Sequence, residues 1–232
     1  MLSLPAEARN RGFTLIELMV ALVLGLVVVG GVMGVFMSTY QANAQNIKAV
    51  RLNEEMRAVM SLVTRDIRRA GARDLAWQPS LLGTPNPFSN NVNWVLSRYD
   101  GTVPVNSCAM FAYDTDGNDA VDTADRRGFR LRKEGALQSV QMRRNGAACN
   151  VSAGWEKITD ENVMNVLNLN FTTTLEPGVS GVAVRSVIVT LRGATHTRSV
   201  DPATLTAADC TNIDVVCREL VEKIRLRNDA VL

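Results

Sequence analysis

From Leu18 to Met37 the chain runs for 20 residues without a charged side chain. A helix of that length, rising 1.5 Å per residue, covers the roughly 30 Å hydrocarbon core of a bilayer. Arg9 and Arg11 stand just ahead of the run, and positive residues on that side hold the N-terminus in the cytoplasm. Everything beyond about Ser38 is then expected to be exported. One residue needs a separate reason: Glu17, five positions into the apolar sequence that begins at Phe13. A carboxylate costs about 2.5–3.5 kcal/mol at the centre of a membrane helix.

An ordinary signal peptide has a shorter apolar core, followed by a small-residue cleavage site. Here the core is longer, and an amphipathic pattern follows it with no A-x-A-like site. A plain signal anchor fits the length and leaves Glu17 unexplained. The stretch "RGFTLIELMVALVLG" resembles the class III leader of type IV pilins and pseudopilins: a short basic leader, Gly12, then Phe13-Thr14-Leu15-Ile16-Glu17. The resemblance implies that a membrane peptidase cuts between Gly12 and Phe13 and that the new amine of Phe13 is N-methylated. A glycine at that position lets the peptidase approach the backbone closely. The resemblance also gives Glu17 a role. Its carboxylate neutralises the Phe13 amine of its own chain or of a neighbouring subunit, and because an unpaired charge is unfavourable in an apolar bundle, the pair enforces register.

Beyond Met37 the helical pattern continues. Ile47, Val50, Met56, Val59, Met60, Val63, Ile67 and Ala70 recur at helical spacing, with Arg51, Glu54, Glu55, Arg57, Arg65, Asp66, Arg68 and Arg69 mostly between them. Gly71 is a reasonable stop. One helix from Phe13 to Ala70 is expected, its second half burying a stripe against a globular head. Gly25, Gly30, Gly31 and Gly34 lie in the apolar half; they read either as a helix-packing face of GxxxG type or as a segment that can unwind. The expected organisation is a leader over 1–12, a membrane and assembly segment over 13–37, an amphipathic segment over 38–71 and a head over 72–232.

In the head, 77–91 reads as loop, and strand-like segments follow at 92–97, 108–113, 128–133, 136–143, 163–174, 182–191 and 217–227. In "VAVRSVIVTL", Ala183, Arg185, Val187, Val189 and Leu191 face one way, and Val182, Val184, Ser186, Ile188 and Thr190 the other. Near the C-terminus Leu220, Glu222, Ile224 and Leu226 alternate with Val221, Lys223, Arg225 and Arg227. The fold class expected is α+β: the long helix packed on antiparallel sheet. "FAYDTDGNDAVD", "GFRLRKEGALQS", "GWEKITDENV" and "EKIRLRN" are similar to the PilW branch of minor pilins, related to the J-type pseudopilins of type II secretion. That resemblance implies a subunit that primes pilus assembly at or near the fibre tip. Its implied partners are other minor pilins, the major pilin, prepilin peptidase, the inner-membrane assembly platform and a large tip adhesin.

Four cysteines, Cys108, Cys149, Cys210 and Cys217, all fall in the second half. An even number beyond a membrane segment suits an oxidising compartment and two disulfides. Three pairings are possible; the short loop favours Cys210–Cys217, which leaves Cys108–Cys149. Counted from Asp114, "DTDGNDAVDTAD" sets Asp114, Asp116, Asn118, the Ala120 carbonyl, Asp122 and Asp125 at the ligand positions of a Ca²⁺ loop. Asp119 replaces the turn glycine, Gly117 comes early, and strands flank the segment, so a solvated hairpin loop is the competing reading. No catalytic motif is present: His196 has no accompanying nucleophile, and GxSxG, P-loop and GxGxxG patterns are missing. With 25 basic against 23 acidic residues, no strong nucleic-acid footprint is expected. Arg126, Arg127, Arg130, Arg132, Arg143 and Arg144 could form a basic patch, but without aromatic neighbours for base stacking.

Overall fold

The computed structural model describes residues 12–74, 76–77, 83–177, 183–196, 210–211 and 215–231. It divides into two compact units, residues 1–45 and 46–232. Helix α1 (Leu15–Arg69) contributes to both. In the first unit every described residue from Gly12 to Asn43 is exposed, including Leu18, Leu22, Leu26, Val29 and Phe36. The helix is unbroken through its four glycines. Where the apolar stretch ends, Ser38 Oγ and Thr39 Oγ1 both donate to the Val35 carbonyl at 2.9 Å, returning their hydroxyls to the backbone.

In the second unit α1 presents Leu52, Met56, Val59, Met60, Val63 and Ile67 to the core, each buried. Burying each such side chain is worth about 1.5–3 kcal/mol. The helix stops at Gly71, whose φ of 77° is the left-handed conformation open to glycine. The Gly71 amide leaves the helix to donate to Ala112 O at 2.9 Å.

Two antiparallel sheets hold this helix face. The five-stranded sheet runs in sequence order: β1 (Val95–Ser97), β2 (Cys108–Ala112), β3 (Arg126–Glu134), β4 (Leu137–Arg143) and β5 (Trp155–Lys157). The three-stranded sheet is β6 (Asn165–Pro177), β7 (Ala183–His196) and β8 (Val215–Val231), also in order. A short helix, α2 (Asn90–Asn93), precedes β1. Phe111, Phe129, Leu131 and Val140 from the first sheet and Phe171, Val187, Val189, Leu191, Ile224 and Leu226 from the second complete the core. Gly193 lets α1 approach β7: a Cβ there would lie 3.2–3.5 Å from Met164, Met56 and Leu52. The architecture is α+β, one long helix on antiparallel sheet.

Several elements depart from the sequence pattern. Ile47 and Val50 are exposed while Leu52 is buried, because the core first takes up the helix near Gly193 on β7. Residues 90–93 are helical, so the strand expected over 92–97 shrinks to β1. Strand β5 is additional: three residues paired to Gln141, Met142 and Arg143. Glu222 lies in phase with the buried Ile224 and Leu226 yet is exposed, on the terminal strand of its sheet. Residues 78–82 of the loop and Val182 lie outside the described residues.

Candidate functional site

At the start of α1, residues 12–14 are non-helical and the helix begins at Leu15. Thr14 therefore occupies the N-cap position and Glu17 the third helical position. Glu17 Oε2 accepts from the Thr14 amide and from Thr14 Oγ1, both at 2.9 Å, and the Glu17 amide donates back to Thr14 Oγ1 at 3.3 Å. This reciprocal pair is a capping box, which satisfies otherwise orphan amides of the first turn. The T-x-x-E spacing carries that signal in the sequence, and a reading focused on the charge of Glu17 misses it. Gly12 and Phe13, the cleavage pair expected from the sequence, lie just ahead of the cap, outside the helix and exposed.

The acidic loop between β2 and β3 is tied to the segment that follows α1. The Asp114 amide donates to Ala72 O at 2.9 Å, and Asp114 Oδ2 accepts from the Asp74 amide at 3.3 Å. Arg73 forms a two-pronged ion pair with Asp119, a residue held at φ 59°. That guanidinium keeps the Asp119 carboxyl below the usual carboxylate range. Asp114, Asp116 and Asp125 each bring a carboxylate oxygen within 4.8 Å of the others, Asp114 and Asp125 buried and Asp116 exposed. The loop's polar side chains also serve the local backbone. Asp114 Oδ1 accepts from Gly117 N, Asp116 Oδ1 from Asn118 N, Asn118 Oδ1 from Ala120 N and Asp122 Oδ1 from Ala124 N. Asp125 accepts from the Thr115 amide at 2.8 Å, its hydroxyl at 2.7 Å and the Asp122 amide at 3.1 Å. Burial alone would raise the Asp125 pKa; these hydrogen bonds outweigh it and hold the carboxyl below its ordinary value. Asp114, Asp116, Asn118 and Asp122 thus each satisfy an amide of the loop's own backbone, as turn-forming side chains do.

Five of the six arginines considered as a basic patch are put to separate uses. Arg130 is completely buried. Its Nε and Nη2 donate to Gln141 Oε1 at 2.9 and 2.7 Å, and Nη1 donates to Cys149 O at 2.7 Å and Val151 O at 2.6 Å. The guanidinium sits 4.3 Å from the Trp155 ring centroid and 4.8 Å from that of Tyr99. Arg143 donates to Ala147 O at 2.6 Å and Gly146 O at 2.7 Å. Burial pulls both arginines down to about 10, still far above neutral, so both stay charged. The Cys108–Cys149 disulfide, Cα atoms 6.3 Å apart, anchors the same 144–154 segment to β2. A second disulfide, Cys210–Cys217, joins the approach to β8 to the strand itself. Arg132 pairs with Glu134 and Arg144 with Glu156. Arg127 faces the helix, where it pulls on Asp66, a carboxylate 8% exposed. Burial pushes the Asp66 pKa up, against the opposing pull of Arg127, Arg65 and Arg69. His196 ends β7, and its side chain lies outside the described residues.

Two family profiles match the sequence. Prepilin peptidase-dependent protein B matches residues 45–208, and the prokaryotic N-terminal methylation motif matches residues 8–33. No curated protein matches. Among solved structures, a type IV-like pilin from Thermus thermophilus is similar at 10% identity with a TM-score of 0.43, covering 77% of this chain and 98% of its own. The methylation motif at the head of an exposed apolar helix, followed by an antiparallel-sheet head, defines a membrane-anchored protein of the type IV pilin superfamily, a structural class. Within it, the chain belongs to the prepilin peptidase-dependent protein B family.

Proposed function

We propose that this protein is a minor pilin that primes assembly of a type IV pilus and sits at or near the fibre tip. One observation carries the reading: every described residue of the apolar stretch from Phe13 to Met37 is exposed, so lipid or neighbouring helices must cover it. Prepilin peptidase cleaves between Gly12 and Phe13, and the Phe13 amine is methylated. Glu17 then neutralises such an amine as the helices of neighbouring subunits come together. Before assembly the protein spans the inner membrane once, N-terminus in the cytoplasm and head in the periplasm, where both disulfides persist. Its partners are the other minor pilins, the major pilin and the assembly platform, with a large adhesin at the tip.

Mass spectrometry of the mature protein tests the processing step: the expected product begins at methylated Phe13, and an intact leader or another cut overturns it. A deletion strain tests the role. Loss of surface pili with secretion retained supports a pilus subunit, while loss of secretion with pili retained transfers the protein to a J-type place in a secretion pseudopilus.

A further inference from the structure

In the second unit, the outward face of α1 has no cover among the described residues. Residues 51, 54, 57, 58, 61, 65 and 68 are all exposed. Their spacing of three and four sets them on one side of the helix, opposite the buried stripe of Leu52, Met56, Val59 and Val63. At the start of this face Ile47 and Val50 are 54% and 53% exposed. They lie 10 and 13 residues beyond Met37, roughly 15–20 Å further along a helix. That is past the hydrocarbon core that covers the uncharged run, so lipid does not shield them. Midway, Ala58 and Ser61 are small, which lets a second helix come close. Around them stand Arg51, Arg57, Arg65, Arg68 and Arg69, with Glu54 exposed in their midst. Glu55 turns to the Asp160 amide, and Asp66 is buried and drawn by Arg65 and Arg69. Arg68 and Arg69 also suit the last turn of the helix, where cations complement its carbonyl end. Arg51, Arg57 and Arg68 make no side-chain hydrogen bond or ion pair with a described residue. The face is therefore aliphatic at its start, small in its middle and net positive along its sides.

We propose that this face receives an amphipathic helix of a different subunit, with aliphatic side chains along its centre and Asp or Glu on its flanks. The incoming helix lays its aliphatic residues on Ile47, Val50 and Ala58, and its carboxylates meet Arg51, Arg57 and Arg68. Flanking charges of this kind set partner choice between paired helices. A second copy is the wrong occupant. Two copies anchored in one membrane run their helices in parallel and bring the same arginines together, and like charges so placed are unfavourable. The face thus selects a neighbour of another sequence over self-pairing. The inference rests on the assembly reading for the source of that neighbour. The exposed apolar stretch on which that reading stands belongs to the same unbroken helix.

The test co-expresses the affinity-tagged full chain with the major pilin and with each minor pilin of the same cell, one at a time, and measures capture in detergent micelles. The wild type captures at least one of them. Arg51→Glu, Arg57→Glu and Arg68→Glu together lower that capture about tenfold or more. The corresponding three lysine substitutions retain it, because the flanks supply charge. Ala58→Trp keeps every charge and also loses capture, which separates a seated helix from diffuse attraction. All four positions are exposed, and an unchanged far-UV spectrum and urea midpoint verify the fold of each variant. Capture that survives the three reversals overturns the proposal, as does full capture by Ala58→Trp or equally strong capture of an untagged copy of the same chain. Labelled duplex DNA retained by the wild type, with no subunit captured, assigns the arginines to phosphates and overturns it too. Capture of nothing removes the docking face alone, since the assembly reading is decided by the deletion strain.

Discussion

Thr14 and Glu17 close on each other at the first turn of α1, with the carboxylate taking both the amide and the hydroxyl of Thr14 at 2.9 Å. The acidic residue that looks misplaced beside an apolar run is therefore satisfied within its own chain before any neighbour arrives. Capping and charge pairing are separable by substitution. Glu17→Gln keeps an acceptor for Thr14 and removes the charge; Glu17→Ala removes both. Both variants insert normally, and both lose incorporation into sheared fibres by about tenfold or more, since an amine left unpaired in an apolar bundle costs on the order of 3 kcal/mol. Wild-type incorporation of Glu17→Gln alongside loss in Glu17→Ala would assign the residue to capping alone.

Arg130 holds the 144–154 segment against the outer face of the five-stranded sheet through two carbonyls and Gln141. Arg130→Met leaves those buried acceptors without a donor and lowers unfolding stability by about 3 kcal/mol in urea titration. Arg130→Lys keeps the charge but lacks the planar fork that reaches Gln141 and both carbonyls, and it recovers less than half of the loss. Full recovery by lysine would mean that charge, not fork geometry, anchors the segment.

The residues that surprise are those whose side chains do something other than their residue type suggests. Helix α1 is legible because apolar residues recur at helical spacing, and β7 because Val187, Val189 and Leu191 share one face of a β-branched-rich run whose other face carries Ser186, Ile188 and Thr190. Arg130 and Arg143 read as surface charge, since only the tertiary placement of the 144–154 carbonyls makes burying them favourable. The exposure of Ile47 and Val50 is equally non-local: the helix pattern continues through them, but the sheets take it up only at Leu52. Strand β5 has three residues and no alternation to detect. At the candidate site, Gly12, Phe13 and Glu17 stand out by motif, while the role of Thr14 lies in the T-x-x-E spacing.

Asp66 makes stability depend on pH in an uncommon direction. Its folded-state pKa is raised by burial above the ordinary 3.8, against the pull of nearby arginines. The folded protein thus holds this proton more tightly than the unfolded chain, and ionisation costs stability as pH climbs from about 3.8 through the folded value. Asp66→Asn removes that cost. Denaturant titration shows the variant more stable near neutral pH, with the difference closing at pH values below 3.8. A variant less stable at neutral pH would mean that the Arg127 attraction outweighs burial.

The two disulfides close loops of very different length, with sequence separations of 41 for Cys108–Cys149 and 7 for Cys210–Cys217. Loop-closure entropy assigns roughly 4 kcal/mol to the first and roughly 2.4 kcal/mol to the second. Replacing Cys108 and Cys149 together by alanine lowers the urea midpoint more than replacing Cys210 and Cys217 does. The opposite order would show that anchoring β8 matters more than constraining the unfolded chain.

Strand β8 spans Val215–Val231 and is the terminal strand of its sheet, whereas both outer strands of the other sheet have only three residues. A long edge invites pairing with a second molecule, and one natural defence is a charged side chain on the inward-facing set of the edge strand. Glu222 fills that place. It is paired in register with the buried Val189 and in phase with the buried Ile224 and Leu226, yet it remains exposed. Lys223 beside it is engaged across the sheet by Glu176. Glu222→Val keeps the strand geometry and removes the inward charge. The variant retains its far-UV spectrum and self-associates in analytical ultracentrifugation at concentrations where the wild type in the same detergent does not. An unchanged sedimentation profile would show that Lys223 and its neighbours on the outer face suffice to keep this edge from pairing.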